Sequence, residues 1–314
     1  MTATDQRSIG SISVTLAGLG CNNFGRRLDA ARTKRVVDAA LDAGVTLFDT
    51  ADLYGEGKSE EFLGAALGTR RDEAVIVSKF GMLRPPEGKN GGDPEWARTA
   101  CDASLKRLGT DRIDVYLLHR PDPDTPIVET LSALEDLRAQ GKVREIGCSN
   151  FTAQQLDEAT SVARENGWRG FVTLQNQYSA LHREPEADVL GACERLGLSV
   201  MPYFPLASGL LTGKYRRGEP APAGTRLGGE GGEPAEKVVD ANKLSIVEEL
   251  TRYAEKRGHT ILELALSWLA AKPIVCTVIA GATSAEQVRA NAAATTAWAM
   301  TEEDIAAIDE ITGA

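Results

Sequence analysis

Three histidines, five cysteines and a 5% share of aromatic residues leave little material for metal or nucleic-acid chemistry in a chain of 314 residues. The histidines, His119, His182 and His259, form no H-E-x-x-H motif and no i, i+4 pair, so no metal site is expected. Cys21, Cys101, Cys148, Cys193 and Cys276 are odd in number, far apart and without a C-x-x-C pair. Free thiols in a reducing, cytoplasmic setting are therefore expected. Positive charge is also short, since 35 Lys and Arg face 45 Asp and Glu and leave a net charge of −10. A nucleic-acid partner would need a basic face to displace phosphate counterions, so none is expected. No 18-residue apolar run occurs and residues 1–7 are polar, so neither a membrane span nor a signal peptide is expected. With 42% hydrophobic and 25% charged residues the composition is globular, and the chain is long enough to bury a core without metals or disulfides.

What the chain does have is a repeat. An Ile/Val alternation over 9–14 predicts an N-terminal hairpin. Short apolar runs then recur at 17–20, 45–49, 74–79, 113–119, 143–149, 171–175, 198–202 and 276–280, each followed by a helical stretch. Such runs suit parallel strands covered on both faces. Residues 33–43 carry Val36, Val37, Ala40 and Leu41 on one face and stop at Gly44. Leu131, Leu134 and Leu137 mark another helix, which ends near Gly141. Thr152 with Gln155, and Ser284 with Gln287, read as capping boxes. Eight strand–helix units joined by right-handed crossovers predict an α/β fold, a (β/α)8 TIM barrel formed by a single domain over 1–314. Long loops at 84–93 and 216–236 follow strand ends on the C-terminal face, where such barrels carry their active sites. The longer one reads as a lid or an insert. The alternative is an open doubly wound sheet. Its support, Gly18-Leu19-Gly20 with Gly25, has the spacing G-x-G-x-x-x-x-G rather than G-x-G-x-x-G, and 21–29 is too irregular to open a helix.

Four ionisable residues stand at or just beyond adjacent strand ends: Asp49, Tyr54, Lys79 and His119. Asp49 with Lys79 alone would read equally well as an ion pair holding the barrel rim. Together the four fit proton donation to a developing alkoxide. A tyrosine ordinarily ionises near ~10, a neighbouring ammonium lowers that value, an aspartate holds the ammonium, and a histidine can orient a carbonyl oxygen. General acid catalysis of this kind is worth roughly 10² to 10⁴ in rate.

The motifs FDTADLYG, VIVSKFG, VYLLHRPD, REIGCSNF, MPYFPLASGLLTGKY and VIAGATSAEQVRAN, with the strand ending in Gln175, resemble those of the aldo-keto reductase superfamily. They occur in that family's order across residues 17–291. The family is a (β/α)8 barrel without a Rossmann domain that uses NADPH to reduce aldehydes and ketones. The resemblance implies Tyr54 as general acid, Asp49 and Lys79 as its tuning pair, and His119 as the orienting group. It implies Ser149, Asn150 and Gln175 on the nicotinamide carboxamide, and Tyr203 as the stacking aromatic. It places Leu206, Ser208 and Leu210 around the diphosphate with Lys214 as counter-charge, Arg226 above it, and Gly281, Thr283, Gln287 and Asn291 on the adenosine side. Ser284 opens a helix whose free N–H groups suit a phosphate.

Two departures stand out. Phe204 replaces a serine common after the stacking aromatic. No basic residue stands at Thr283 for a 2′-phosphate, the nearest being Arg289, so NADPH is the expected cofactor with NADH as the alternative. The partner implied is a small carbonyl compound, and Phe24, Met82, Leu83, Arg120 and Trp298 are candidate walls of its pocket. Cys21 and Asn22 are expected near the nicotinamide. Cys148 reads as a packed core thiol, and Trp96, Trp168 and Trp268 as packing residues. His182 reads as a rim loop residue and His259 as a turn between helices. Two other functions remain open at this level. Potassium-channel β-subunits resemble the family and keep the same four residues, which implies an NADP(H)-binding sensor with little turnover. A barrel lyase using Lys79 in a Schiff base is the other, and it leaves the segment of Tyr203, Ser208 and Lys214 unexplained.

Overall fold

The computed structural model describes residues 6–82, 91–215, 221, 225 and 240–313. Residues 84–90, and all of 216–236 except 221 and 225, lie outside the described residues, as do Leu83 and Arg226.

Strands β1 (Gln6–Ile9) and β2 (Ile12–Thr15) pair antiparallel with Ile9 opposite Ile12. The two-residue turn between them opens on Gly10 at φ 55°, the left-handed backbone such a hairpin requires. Eight strands then follow: β3 (Ala17–Gly20), β4 (Leu47–Asp49), β5 (Val75–Phe80), β6 (Ile113–Leu118), β7 (Val143–Ser149), β8 (Thr173–Gln175), β9 (Ser199–Val200) and β10 (Val278–Gly281). They pair in parallel in the order β10-β3-β4-β5-β6-β7-β8-β9. The ring closes where the Val200 N–H donates to the Ile274 carbonyl and the Cys276 N–H to the Val200 carbonyl, both at 2.9 Å. The run expected at 276–280 is thus divided: Cys276 serves β9, and pairing with β3 begins at Val278.

Ten α-helices are described: α1 (Ala30–Asp42), α2 (Lys58–Leu67), α3 (Pro94–Leu108), α4 (Ile127–Ala139), α5 (Ala153–Glu165), α6 (Val189–Leu196), α7 (Ala241–Lys256), α8 (Ile261–Ala270), α9 (Ala285–Ala294) and α10 (Glu302–Thr312). Helix α1 starts earlier than its apolar face suggested, because the Asp29 carboxylate caps it by accepting the Arg32 N–H at 2.8 Å. The Thr152–Gln155 capping box is present. At Ser284 only half of one forms: its hydroxyl accepts the Gln287 N–H, while the Gln287 carboxamide oxygen takes the Thr283 N–H at 2.8 Å.

Strand period two decides what faces inward. Leu47, Val77, Val115, Leu117, Met201 and Ile279 meet the hairpin residues Ile9, Ile12 and Val14 in one buried cluster that plugs the lower barrel. The outward residues pack under the helices in a larger cluster. Both faces of the sheet are dry, which is why its strands read as unbroken apolar runs. All five cysteines are buried and free. Among the described residues no helix is long and apolar enough to cross a membrane, and no group of acidic, His or Cys side chains could hold a metal ion.

Candidate active site

Two residues above the apolar plug, the same inward positions turn polar. Asp49 follows Leu47, Lys79 follows Val77 and His119 follows Leu117. Strand register sets Asp49 opposite Val77 and Lys79 opposite Leu117. The Lys79 ammonium, fully buried, lies 2.8 Å from Asp49 Oδ1, donates to the Thr50 carbonyl at 2.7 Å and reaches the Tyr54 hydroxyl at 3.4 Å. The Tyr54 and His119 rings stand edge to face with centroids 6.0 Å apart. The four residues therefore converge as expected.

Tyr54 sits on a tight turn between β4 and α2, closed by its own N–H donating to the Ala51 carbonyl at 3.1 Å. That turn packs on the loop after β3, and glycine makes the approach possible. A Cβ on Gly55 would stand 2.9 Å from the Phe24 carbonyl oxygen, and one on Gly25 would stand 2.5 Å from Lys58 Cβ.

The charge states follow from burial. Burial alone would push the Lys79 ammonium down, but Asp49 and the contacts to Tyr54 outweigh it and leave it above the ordinary lysine value. A lysine held so firmly protonated is no nucleophile, which argues against Schiff-base chemistry. Burial, then the nearby charge of Lys79 and Arg120, pushes His119 down to about 2, so the imidazole is neutral. Tyr54 departs from the sequence expectation. Burial raises its phenol, Lys79 lowers it, Asp49 raises it again, and the net direction is up. Burial, with Asp49 adding to it, outweighs the Lys79 charge that was expected to make the tyrosine more acidic. The phenol keeps its proton.

Asp49, Tyr54 and His119 line a cavity of about 1310 Å³ at the C-terminal mouth of the barrel, with Lys79 buried outside its lining. Pockets for small molecules usually measure ~300–1,000 Å³, so this one has room for a dinucleotide and a small substrate together. Ser149, Asn150 and Gln175 gather hydroxyl and amide groups on one wall. The Ser149 hydroxyl donates to the Gln175 carbonyl at 2.7 Å, and Gln175 Nε2 donates to Asp49 Oδ1 at 2.8 Å. Asn150 has φ 62° and donates through Nδ2 to the His119 carbonyl at 2.9 Å. The Tyr203 hydroxyl donates to Asn150 Oδ1 at 2.8 Å.

Asn176 is a residue that sequence reasoning missed. Its Oδ1 accepts the Asn150 N–H at 2.7 Å and its Nδ2 donates to the Phe151 carbonyl at 3.1 Å, fixing the left-handed turn at Asn150. The available signal was its place directly after Gln175. Leu206, Ser208 and Lys214 line the cavity on a segment with left-handed φ at Phe204, Ala207, Ser208 and Gly209. Gly281, Thr283, Gln287 and Asn291 line the opposite side. Among the described residues the charged lining comprises Arg26, Arg27, Lys58 and Lys214 with Glu56 and Asp49, more basic than acidic side chains in a chain of net −10.

Several expectations are corrected. Leu210 does not line the cavity, because the tight turns before it send its side chain into the core around Trp268. Phe24 is no pocket wall either: it is fully buried in the core beneath the loop. Arg120 is exposed outside the lining, since the alternation that turns His119 inward turns its neighbour out. Trp298 stacks on His259 at 4.3 Å and donates from Nε1 to Asp304 at 3.3 Å, away from the cavity. Met82, 40% exposed, does line it, together with Asn22, Leu53 and Phe204. Cys21 and Cys148 are fully buried, and burial pushes both thiols well up.

Known proteins resemble the chain over nearly its whole length. Residues 17–312 match the model of the Aldo/keto reductase family. An uncharacterised oxidoreductase of Bacillus subtilis, YrpG, is 35% identical over 285 residues, 86% of this chain and 84% of its own length. A probable voltage-gated potassium channel subunit beta of Oryza sativa is 35% identical over 273 residues, covering 85% and 83%. L-glyceraldehyde 3-phosphate reductase of Escherichia coli is 32% identical over 303 residues, covering 92% and 86%. Among solved structures, the holo form of aldo-keto reductase AKR11C1 from Bacillus halodurans superposes with a TM-score of 0.80 at 30% identity, over 98% of this chain and 96% of that one.

Proposed function

The chain belongs to the aldo/keto reductase family and is an NAD(P)H-dependent oxidoreductase; from that premise we propose that it reduces an aldehyde or ketone to the alcohol with Tyr54 as proton donor. The observation that carries this reading is the protonated Tyr54 phenol 3.4 Å from a lysine whose charge Asp49 fixes, beside a neutral His119. Of the three groups with a proton to offer, Lys79 is locked in its ion pair and the imidazole is neutral. That leaves the phenol.

The cavity suits a nicotinamide dinucleotide. Ser149, Asn150 and Gln175 would hold the carboxamide, and Gln175 keeps its carbonyl oxygen free because its amide is spent on Asp49. Tyr203 would give the ring a flat wall. Leu206, Ser208, Lys214, and Arg226 from the loop would hold the diphosphate; the Leu210 side chain faces the core and contributes none of this. Gly281, Thr283, Gln287 and Asn291 would hold the adenosine. The cationic lining favours a polyanion, and we take NADPH over NADH. A reduced nicotinamide held there would supply the hydride for the carbonyl carbon. As charge develops on the carbonyl oxygen, His119 holds that oxygen through its one N–H and the Tyr54 hydroxyl passes its proton to it. The phenolate left behind faces the Lys79 ammonium, which stabilises it until water returns the proton. Met82, Leu53 and Phe204 would shape the substrate side.

The test is NADPH oxidation, followed by its near-ultraviolet absorbance, with para-nitrobenzaldehyde. Tyr54→Phe should keep cofactor binding and lose about 10² or more in turnover; equal turnover would refute the assignment. A second reading, an NADP(H)-binding sensor, draws on the 35% identity to a channel β-subunit. Tight NADPH binding with slow release and no turnover would favour it.

A further inference from the structure

The turn that carries Tyr54 has a second face. Asp52 occupies its second position, and while Leu53 and Tyr54 line the cavity, Asp52 does not. It is 3% exposed, and neither carboxyl oxygen has a hydrogen-bond partner among the described residues. A second carboxylate, Glu60 of α2, is fully buried nearby. Its two oxygens are already taken by the Ser78 hydroxyl of β5 at 2.5 Å and by Arg107 Nε of α3 at 2.6 Å. One guanidinium therefore serves two buried carboxyl groups. The other cation that Asp52 faces, Lys79, is committed to Asp49 and Tyr54. The Tyr116 hydroxyl of β6 is buried with no partner among the described residues and feels the charge of both acids. A second uncompensated negative charge in such a dry layer is strongly disfavoured, and the simplest relief is a proton.

We propose that Asp52 is a positioning residue for Tyr54: as the neutral buried acid it pins the turn, and its ionisation releases the turn and displaces the proton donor. The proposal rests on the assignment of Tyr54 above. The turn is stitched to β5 by the Asp52 N–H donating to the Lys79 carbonyl at 3.2 Å, and to α2 by the Ser59 N–H donating to the Tyr54 carbonyl at 3.1 Å. An ionised Asp52 that moves toward water pulls on the first of these bonds. Burial, then the Glu60 charge, pushes the Asp52 carboxyl up to about 7, while the charges of Arg107 and Lys79 pull it back. His119 is pushed far below that value, and Tyr54 and Lys79 lie above their ordinary ones. An inflection near neutrality therefore points away from His119, Tyr54 and Lys79 and toward Asp52.

The experiment is the single-turnover rate of NADPH oxidation with para-nitrobenzaldehyde from pH 5.5 to 9, in the full chain and in Asp52→Asn and Glu60→Gln. The wild-type rate should fall about tenfold per pH unit above the transition. Asp52→Asn should abolish that inflection. Glu60→Gln should move it to lower pH, because removing the neighbouring negative charge makes Asp52 more acidic. A purely structural role for Asp52 predicts lower rates with an unmoved profile. That result, or an upward shift in Glu60→Gln, overturns the proposal. Amide hydrogen exchange over 51–60, measured without substrate and corrected for intrinsic rates, gives a second readout. Exchange that accelerates above neutrality in the wild type and not in Asp52→Asn supports the pinned turn. If no aldehyde is turned over while exchange behaves so, the proton-donor assignment fails and the pinned turn stands. The same exchange profile in both proteins overturns it.

Discussion

Replacing Asp52 by Asn should make the protein more stable as the pH rises, and the size of the effect follows from where the carboxyl sits. In the folded chain burial and the Glu60 charge hold it at about 7, against 3.8 for an unperturbed aspartate. Between those values the native state binds a proton that the unfolded state has released. Stability therefore falls with rising pH across this window, at about 1.4 kcal/mol per unit, and levels off above it. From pH 5 to pH 7 the wild type should lose about 2 kcal/mol on this account. Asparagine is neutral in both states and escapes the loss. Its amide leaves its own pH-independent cost in a site with no hydrogen-bond partner, but that offset does not enter the slope. Urea unfolding followed by tryptophan fluorescence at pH 5, 6, 7 and 8 gives the test, since Trp268 is fully buried and reports the folded core. The difference in unfolding free energy between Asp52→Asn and the wild type should grow with pH and reach a plateau near 8. A difference that stays constant, or shrinks, would show that Asp52 ionises as easily in the folded chain as in the unfolded one.

Two further substitutions probe the support of the site. Lys79→Met removes the cation from a buried pair and strands the Asp49 carboxylate. Denaturant unfolding should show a loss of about 3–5 kcal/mol at neutral pH, and turnover should vanish; a loss below about 1 kcal/mol would mean that water reaches Asp49. Asn176→Ala takes away the acceptor that holds the Asn150 N–H at 2.7 Å. NADPH affinity, read from nicotinamide fluorescence, should fall about tenfold, the worth of roughly one hydrogen bond's orientation. Unchanged affinity would release Asn176 from that role.

How far the site could be read from sequence depended on whether the backbone around each residue was periodic. Leu47 and Asp49, Val77 and Lys79, and Leu117 and His119 are pairs two apart on short strands. An alternation of period two sends both members inward whatever the neighbouring loops do. The barrel and its polar upper layer were legible for that reason. Past the strand ends the chain leaves regular dihedrals. Phe204, Ala207 and Ser208 take left-handed φ of 54°, 45° and 57°. No residue type announces that conformation there, so Ser208 and Leu210 look equivalent in sequence while one faces the cavity and the other the core. Phe24 and Met82 both read as pocket walls; Met82 lines the cavity, while Phe24 sits on a loop whose close approach to the Tyr54 turn at Gly25 and Gly55 leaves it in the core.

Charge states are less legible still, because they sum over elements far apart in sequence. Lys79 beside Tyr54 suggested a more acidic phenol, and the structure gives the opposite direction because burial, and after it Asp49, raises the phenol more than Lys79 lowers it. Asp52 makes the stronger case. Within FDTADLYG it looks like one more polar turn residue. Its character comes from Glu60 and Arg107, on helices α2 and α3, and from the walls of β5 and β6 that keep water out. A residue can therefore stand two positions from the proton donor, inside the most recognisable motif of the chain, and still have its role determined by residues outside that motif.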